Sequence, residues 1–171
     1  AMYEEKVAVM TSGCLISVKG FEATGGFRDE LFIDEVDNEY CMHIRRLGMK
    51  VVIINSVLLA HRLGEKRKIR FLGLFRKEYI DHAPFRFYYM TRNILYLNYL
   101  YPEYRPFNNK RLRKMLKRIV LYDQQHKWAA LRMCWRGFRD VSSIIAIEKK
   151  HHWSQEKRLE VIPERLKKGL N

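Results

Sequence analysis

From residue 84 onward apolar side chains recur at helical spacing, and this limits the possible folds more than any other feature of the chain. The stretch PFRFYYMTRNILYLNYLY lies between Pro84, whose fixed φ suits the first position of a helix, and Pro102, which cannot continue one. From about Asn108, Leu112, Met115, Leu116, Ile119 and Val120 form one apolar stripe. Lys110, Arg111, Arg113, Lys114, Lys117 and Arg118 surround it. Trp128, Leu131, Trp135, Phe138, Val141 and Ile145 form another stripe, on the pattern of a core or dimer contact. The spacing predicts an aromatic helix, then two or three amphipathic helices, with a charged final segment from Ser154. No internal repeat or low-complexity tract is present.

The first sixty residues read differently. GCLISVKGF predicts a short buried strand running from Gly13 to a turn at Gly20, and GFEATGGF one helical turn stopped by Gly25 and Gly26. Val36, Tyr40, Ile44 and Leu47 then fall at helical spacing, with Gly48 as the cap. MKVVIINSVLLAH predicts a strand kinked at Asn55 and Ser56. The glycine-punctuated RLGEKRKIRFLGLFRK predicts a basic connector, mobile or lying on a surface. The expected class is therefore α+β: a partial α/β sheet of few strands in residues 1–65, a connector and aromatic helix in 66–105, and a basic helical tail in 106–171.

A chain of 171 residues with 47% hydrophobic content can bury one core. Its formal charge of +14 is unevenly spread. Residues 1–65 hold 7 Lys or Arg against 10 Asp or Glu, and residues 66–171 hold 26 against 9. A basic tail of this kind attracts phosphate backbones, anionic lipid surfaces and phosphorylated substrates. Cys14, Cys41 and Cys134 lie far apart without paired spacing, which suggests neither a zinc site nor a disulfide framework and fits a reducing, cytoplasmic setting. No apolar run approaches the roughly 20 residues of a membrane-spanning helix, and AMYEEKVAVM does not read as a signal peptide.

Negative charge concentrates in DELFIDEVDNEYCMHIRRLG. Asp34, Glu35, Asp37 and Glu39 surround the start of the predicted helix, where the macrodipole alone favours carboxylates by a few tenths to about 1 kcal/mol. Charge pattern by itself allows these acids to be capping devices.

More is implied by their order with other elements: Ser12 and Gly13 opening a strand, Gly25, Gly26 and Phe27, the acids of FIDEVDNEY, His61 before Gly64, and RFYYMTRN from Arg86 to Asn93. Together, over residues 11 to about 100, these resemble the second half of the catalytic domain of family 2 inverting glycosyltransferases of the GT-A fold. The likeness is greatest to the rhamnosyltransferase-like branch of bacterial polysaccharide synthesis. The resemblance implies a GT-A-type sheet and places Asp37 at the catalytic base, the carboxylate that takes the proton from the acceptor hydroxyl as it attacks the sugar's anomeric carbon. It implies that Glu39 orients the acceptor, that Asp34 caps or braces the loop beside Gly25 and Gly26, and that His61 ligates a divalent metal, Mn or Mg, in the complete enzyme. The plain alternative for His61 is a hydrogen-bonded histidine closing a strand. Arg92 and Asn93 match an acceptor-side element, where Arg92 would hold a phosphate of the donor or of a lipid-linked acceptor, or else pair with an acid of residues 1–65. His43 departs from the pattern, since relatives often carry arginine there.

The family's Asp-x-Asp metal motif and nucleotide-binding strands precede the matching region, and no Asp-x-Asp occurs in these 171 residues. The resemblance thus implies the acceptor side of an enzyme, inactive and without bound metal on its own. Its partners would be a nucleotide-sugar donor and a lipid-linked saccharide acceptor, met at the cytoplasmic face of the membrane. The alternative function is a non-catalytic module binding a membrane or a partner, including a homo-oligomer, through the basic tail. Nucleic acid is the weakest partner class, because no reader motif accompanies the charge. The Lys110 to Arg118 run is either a solvated face or a face for anionic lipid.

Overall fold

The structure, a computed structural model, describes residues 2–60, 66–71, 75–80, 82–122 and 126–150. The chain divides into two compact units, one of residues 1–60 with 143–171 and the other of residues 61–142. The architecture is α+β, as the patterning predicts, with helices predominating over two small antiparallel sheets.

In the first unit, β1 (Tyr3–Glu5) pairs antiparallel with β2 (Val52–Ile54), Tyr3 opposite Ile54 and Glu5 opposite Val52. Both strands are exposed along their length. Helix α1 (Val18–Thr24) begins at Ser17, whose Oγ accepts the Gly20 N–H at 3.3 Å. It ends as predicted at Gly25 and Gly26, with φ of 71° and 84°. A Cβ at Gly26 would lie 3.1 Å from the Phe21 ring, so left-handed backbone and lack of space both require glycine there. The turn lets Phe21, Phe27 and Tyr40 gather, with ring centroids 5.1 to 6.2 Å apart. Helix α2 (Val36–Arg46) closes through Gly48 (φ 82°), where Gly48 N–H reaches the Arg45 carbonyl and Met49 N–H the Ile44 carbonyl, both at 3.0 Å. Arg45 then joins the end of α2 to β1 by donating to Glu5 at 2.8 Å and to the Lys6 carbonyl at 3.0 Å.

Two sequence expectations in this unit are corrected. Residues 13–17 are not a strand: Gly13 takes φ 74°, Leu15 is almost wholly exposed, and Ser17 turns the chain into α1. The second strand is also shorter than MKVVIINSVLLAH suggests, covering only Val52–Ile54. Val57 N–H folds back to the Ile54 carbonyl at 3.4 Å, and Val57, Leu58 and Leu59 stand exposed. A strand requires a neighbouring backbone, and among the described residues β2 has only β1.

The second unit opens with another correction. The basic connector contains an antiparallel hairpin, β3 (Lys66–Phe71) and β4 (Phe75–Ile80), in register from Lys66 opposite Ile80 to Phe71 opposite Phe75. Three helices follow. α3 (Pro84–Leu100) starts at Pro84 and stops before Pro102; α4 spans Arg105–Tyr122; α5 (Lys127–Lys150) begins here, while its residues from Ser143 belong to the first unit. Phe87 of α3, Met115 and Ile119 of α4, and Ala130 and Cys134 of α5 form a buried cluster, with Leu112, Leu116 and Leu131 packed against it. The α4 stripe, apart from the exposed Val120, is thus covered by its own unit. α5 crosses α3 at Gly137, where a Cβ would sit 2.5 Å from the Tyr88 carbonyl oxygen, so side-chain-free backbone permits the close approach.

Candidate active site

The acid segment forms a loop held in unfavourable backbone. A single 3-10 turn (Asp29–Leu31) anchors it through the fully buried Leu31. Ile33 N–H then returns to the Leu31 carbonyl at 2.7 Å around Phe32, at φ 61° and ψ −61°, which is a γ-turn of the rare positive-φ kind. Asp34 and Glu35 follow at φ 62° and 66°. Three non-glycine residues with positive φ within four positions each cost of order 1–3 kcal/mol, and strain of that size concentrates at sites where geometry serves function.

The strained loop sets the orientation of the acids on α2. Glu35 turns inward and accepts from Asn38 Nδ2 at 3.1 Å, while its carbonyl receives the Glu39 N–H at 2.8 Å and starts the helix. Asp37 lies in the first turn, partly exposed, and its Oδ1 accepts the Asn38 N–H at 2.9 Å and Asn38 Nδ2 at 3.3 Å. One carboxylate oxygen is thereby held by the protein. Two thiols lie within its field. Burial pushes the Cys14 and Cys41 thiols up, and the charge of Asp37 adds to both shifts.

Glu39, two positions further and so roughly 200° round the helix, faces the opposite way. It is fully buried and accepts from Arg28 Nε at 2.8 Å. The same guanidinium donates from Nη1 to Glu148 of α5 at 3.2 Å, and His43 Nδ1 lies 4.0 Å from Glu39. Arg28, itself only 2% exposed, thus clamps the inward side of α2 to the end of α5. The sequence reading has Glu39 orienting an acceptor; in the structure its carboxylate has no exposed surface from which to do so.

The remaining expected site residues are distributed as follows. Gly25 and Gly26 end α1, and Asp34 lies in the loop with φ 62°. In the second unit, Arg92 Nε donates to Asn93 Oδ1 at 2.9 Å, and its guanidinium carbon lies 5.0 and 5.7 Å from the ring centroids of Tyr89 and Tyr88. Asn93 is wholly buried. His61 lies outside the described residues. Among the described residues no group of three or more His, Cys, Asp or Glu stands together. The reading of the sequence missed Arg28 and Glu148. Arg28 was visible only as a lone cation before a run of acids, and nothing near Glu148 announced a partner 120 residues away.

No family model matches the chain, and no solved structure matches it. The chain is similar to the dTDP-rhamnosyl transferase RfbF of Shigella flexneri, with 35% identity over 88 residues. The match takes in 52% of this chain and 28% of that protein, so the chain spans little more than a quarter of its relative's length. The similarity supports a glycosyltransferase-like relationship.

Proposed function

We propose that this chain supplies the catalytic-base and acceptor side of an inverting sugar transferase of the family 2, GT-A type. The observation that carries the reading is the similarity to a dTDP-rhamnosyl transferase, joined to a strained loop that presents one partly exposed carboxylate, Asp37, at a helix start. By extension from that relative, the donor is a dTDP-activated deoxyhexose such as rhamnose. The acceptor is a saccharide hydroxyl, carried on a lipid.

In the reaction Asp37 accepts the proton of the acceptor hydroxyl as the oxygen attacks the anomeric carbon, and the nucleotide diphosphate departs from the opposite face. Asn38 fixes one Asp37 oxygen and leaves the other available as the base. Glu39 has a different role: joined to Arg28, it fixes the rotation of α2 and hence the direction in which Asp37 points. The exposed apolar residues of the first unit, Leu15, Ile53, Ile54, Val57 and Leu58, support a portion that packs against the donor side of the enzyme. A two-stranded sheet is marginal without such cover.

The test is Asp37→Asn in a full-length relative that carries this same segment, following dTDP release from dTDP-rhamnose in the presence of acceptor. Turnover should fall roughly 10²–10⁴-fold, the usual range for a lost general base, while dTDP affinity is retained. If more than about half the rate remained, Asp37 would be a capping residue and the transferase mechanism would need another base.

A further inference from the structure

Most of the α4 stripe is packed inside the second unit, but α5 leaves large aromatic side chains in solvent: Trp128, Trp135 and Phe138 are 81%, 65% and 56% exposed. Trp135 and Phe138 stack with centroids 5.8 Å apart and planes 23° off parallel. At ~100° per residue, these three aromatics occupy a sector of roughly 80°, beside the face that Ala130, Cys134 and Gly137 bury. Arg132, Arg136 and Arg139, all exposed, occupy the adjoining sector of about 60°, away from the core, with Arg139 also donating to the neighbouring Asp140 at 3.0 Å. The helix therefore carries an apolar band, a cationic band beside it and a buried seat.

We propose that this face of α5 is a docking surface for an anionic lipid bilayer, with Trp128, Trp135 and Phe138 entering the headgroup boundary and the three arginines meeting lipid phosphates. The charge pattern selects the occupant. A second copy seated antiparallel on this face would bring arginines against arginines, which is repulsive. A sheet of lipid phosphates answers cations spaced over ~10 Å of helix, while indoles and arginine stems accept an environment apolar on one side and wet on the other. No described helix is long and apolar enough to cross a membrane, so the contact is with the bilayer surface. The inference is independent of the sugar-transfer reading, since vesicle binding requires no turnover.

The test uses the full chain with phosphatidylglycerol-containing vesicles and with pure phosphatidylcholine vesicles, some carrying brominated acyl chains that quench nearby tryptophan. Co-sedimentation and quenching should occur with the anionic vesicles at low salt and disappear at high salt. Replacing Arg132, Arg136 and Arg139 together by Gln should weaken partitioning about 100-fold, at about 1 kcal/mol per charge. Trp128→Ser with Trp135→Ser and Phe138→Ser should abolish it with unchanged helical circular dichroism, whereas Lys114→Gln with Lys117→Gln on α4 should change it little. Equal binding to neutral vesicles, binding without quenching, or dependence on the α4 lysines rather than the α5 face would overturn the proposal. So would a serine triple variant that turned an oligomer into a monomer by light scattering, because the face would then belong to a protein contact. Since quenching of the unsubstituted chain needs no variant, the result stands even if a substituted chain fails to fold.

Discussion

Replacing Arg28 by methionine should loosen the first unit more than any surface change, and the geometry gives the size of the effect. Arg28 is 2% exposed and holds Glu39 (0%) and Glu148 (7%) at 2.8 and 3.2 Å. Methionine fills comparable space but leaves two buried carboxylates without their shared cation, and breaking a buried pair from one side costs about 3–5 kcal/mol. Solvent screens little of this, because all three groups are enclosed. Hydrogen exchange of the α2 amides from Tyr40 to Arg46 reads the loss locally, which matters in a chain of two units. Exchange should accelerate by roughly 10²–10⁴-fold, the same energy at about 1.4 kcal/mol per decade. Arg28→Lys keeps a charge but not the fork that serves two carboxylates, so its effect should be intermediate. Adding Glu39→Gln to Arg28→Met should recover part of the loss, because one buried charge is then gone. A tenfold change or less for Arg28→Met, or no recovery in the double variant, would mean that α2 is held by packing and that the clamp is incidental.

Four further outcomes follow from other parts of the structure. Gly137→Ala should lower the stability of the second unit by about 1–3 kcal/mol, since the new methyl would meet the Tyr88 carbonyl at 2.5 Å; an unchanged thermal midpoint would show that α5 can lift off α3 without cost. Phe32→Gly should raise the thermal midpoint, because it removes an exposed ring and relieves a γ-turn worth of order 1–3 kcal/mol of strain; a clear fall in midpoint would refute the assignment of strain. Asp37→Asn should speed alkylation of Cys14, whose thiol is raised first by burial and then by the Asp37 charge, while Cys41 and Cys134, raised chiefly by burial, should react only on unfolding. Thiols with folded pKa above the unfolded value contribute stability that is present below about pH 8.5 and lost as pH rises through the folded value. The denaturant midpoint should therefore decline under alkaline conditions, and less steeply in Cys41→Ala. A midpoint independent of pH there would exclude these thiols as the cause.

The sequence by itself determined features governed by a few neighbouring residues. Pro84 and Pro102 bounded α3, Gly25 and Gly26 stopped α1, Gly48 capped α2, and the apolar stripes marked α4 and α5, because φ restriction, capping and helical periodicity act within a turn or two. It also singled out the acid loop around Asp37 by the concentration of carboxylates. What it could not decide depended on partners distant in the chain. Residues 13–17 are apolar enough for a strand but have no backbone beside them, whereas the basic stretch 66–80 makes a hairpin by pairing with itself. Periodicity marked both tail stripes as apolar, yet Met115 and Ile119 are buried while Trp128 and Trp135 face solvent, and only the packing of three helices distinguishes them. Among the adjacent acids, composition cannot tell a base from a strut. Glu39 became a buried strut because Arg28 and Glu148, 120 residues apart, meet beneath α2, while Asp37, two positions earlier, stays partly exposed.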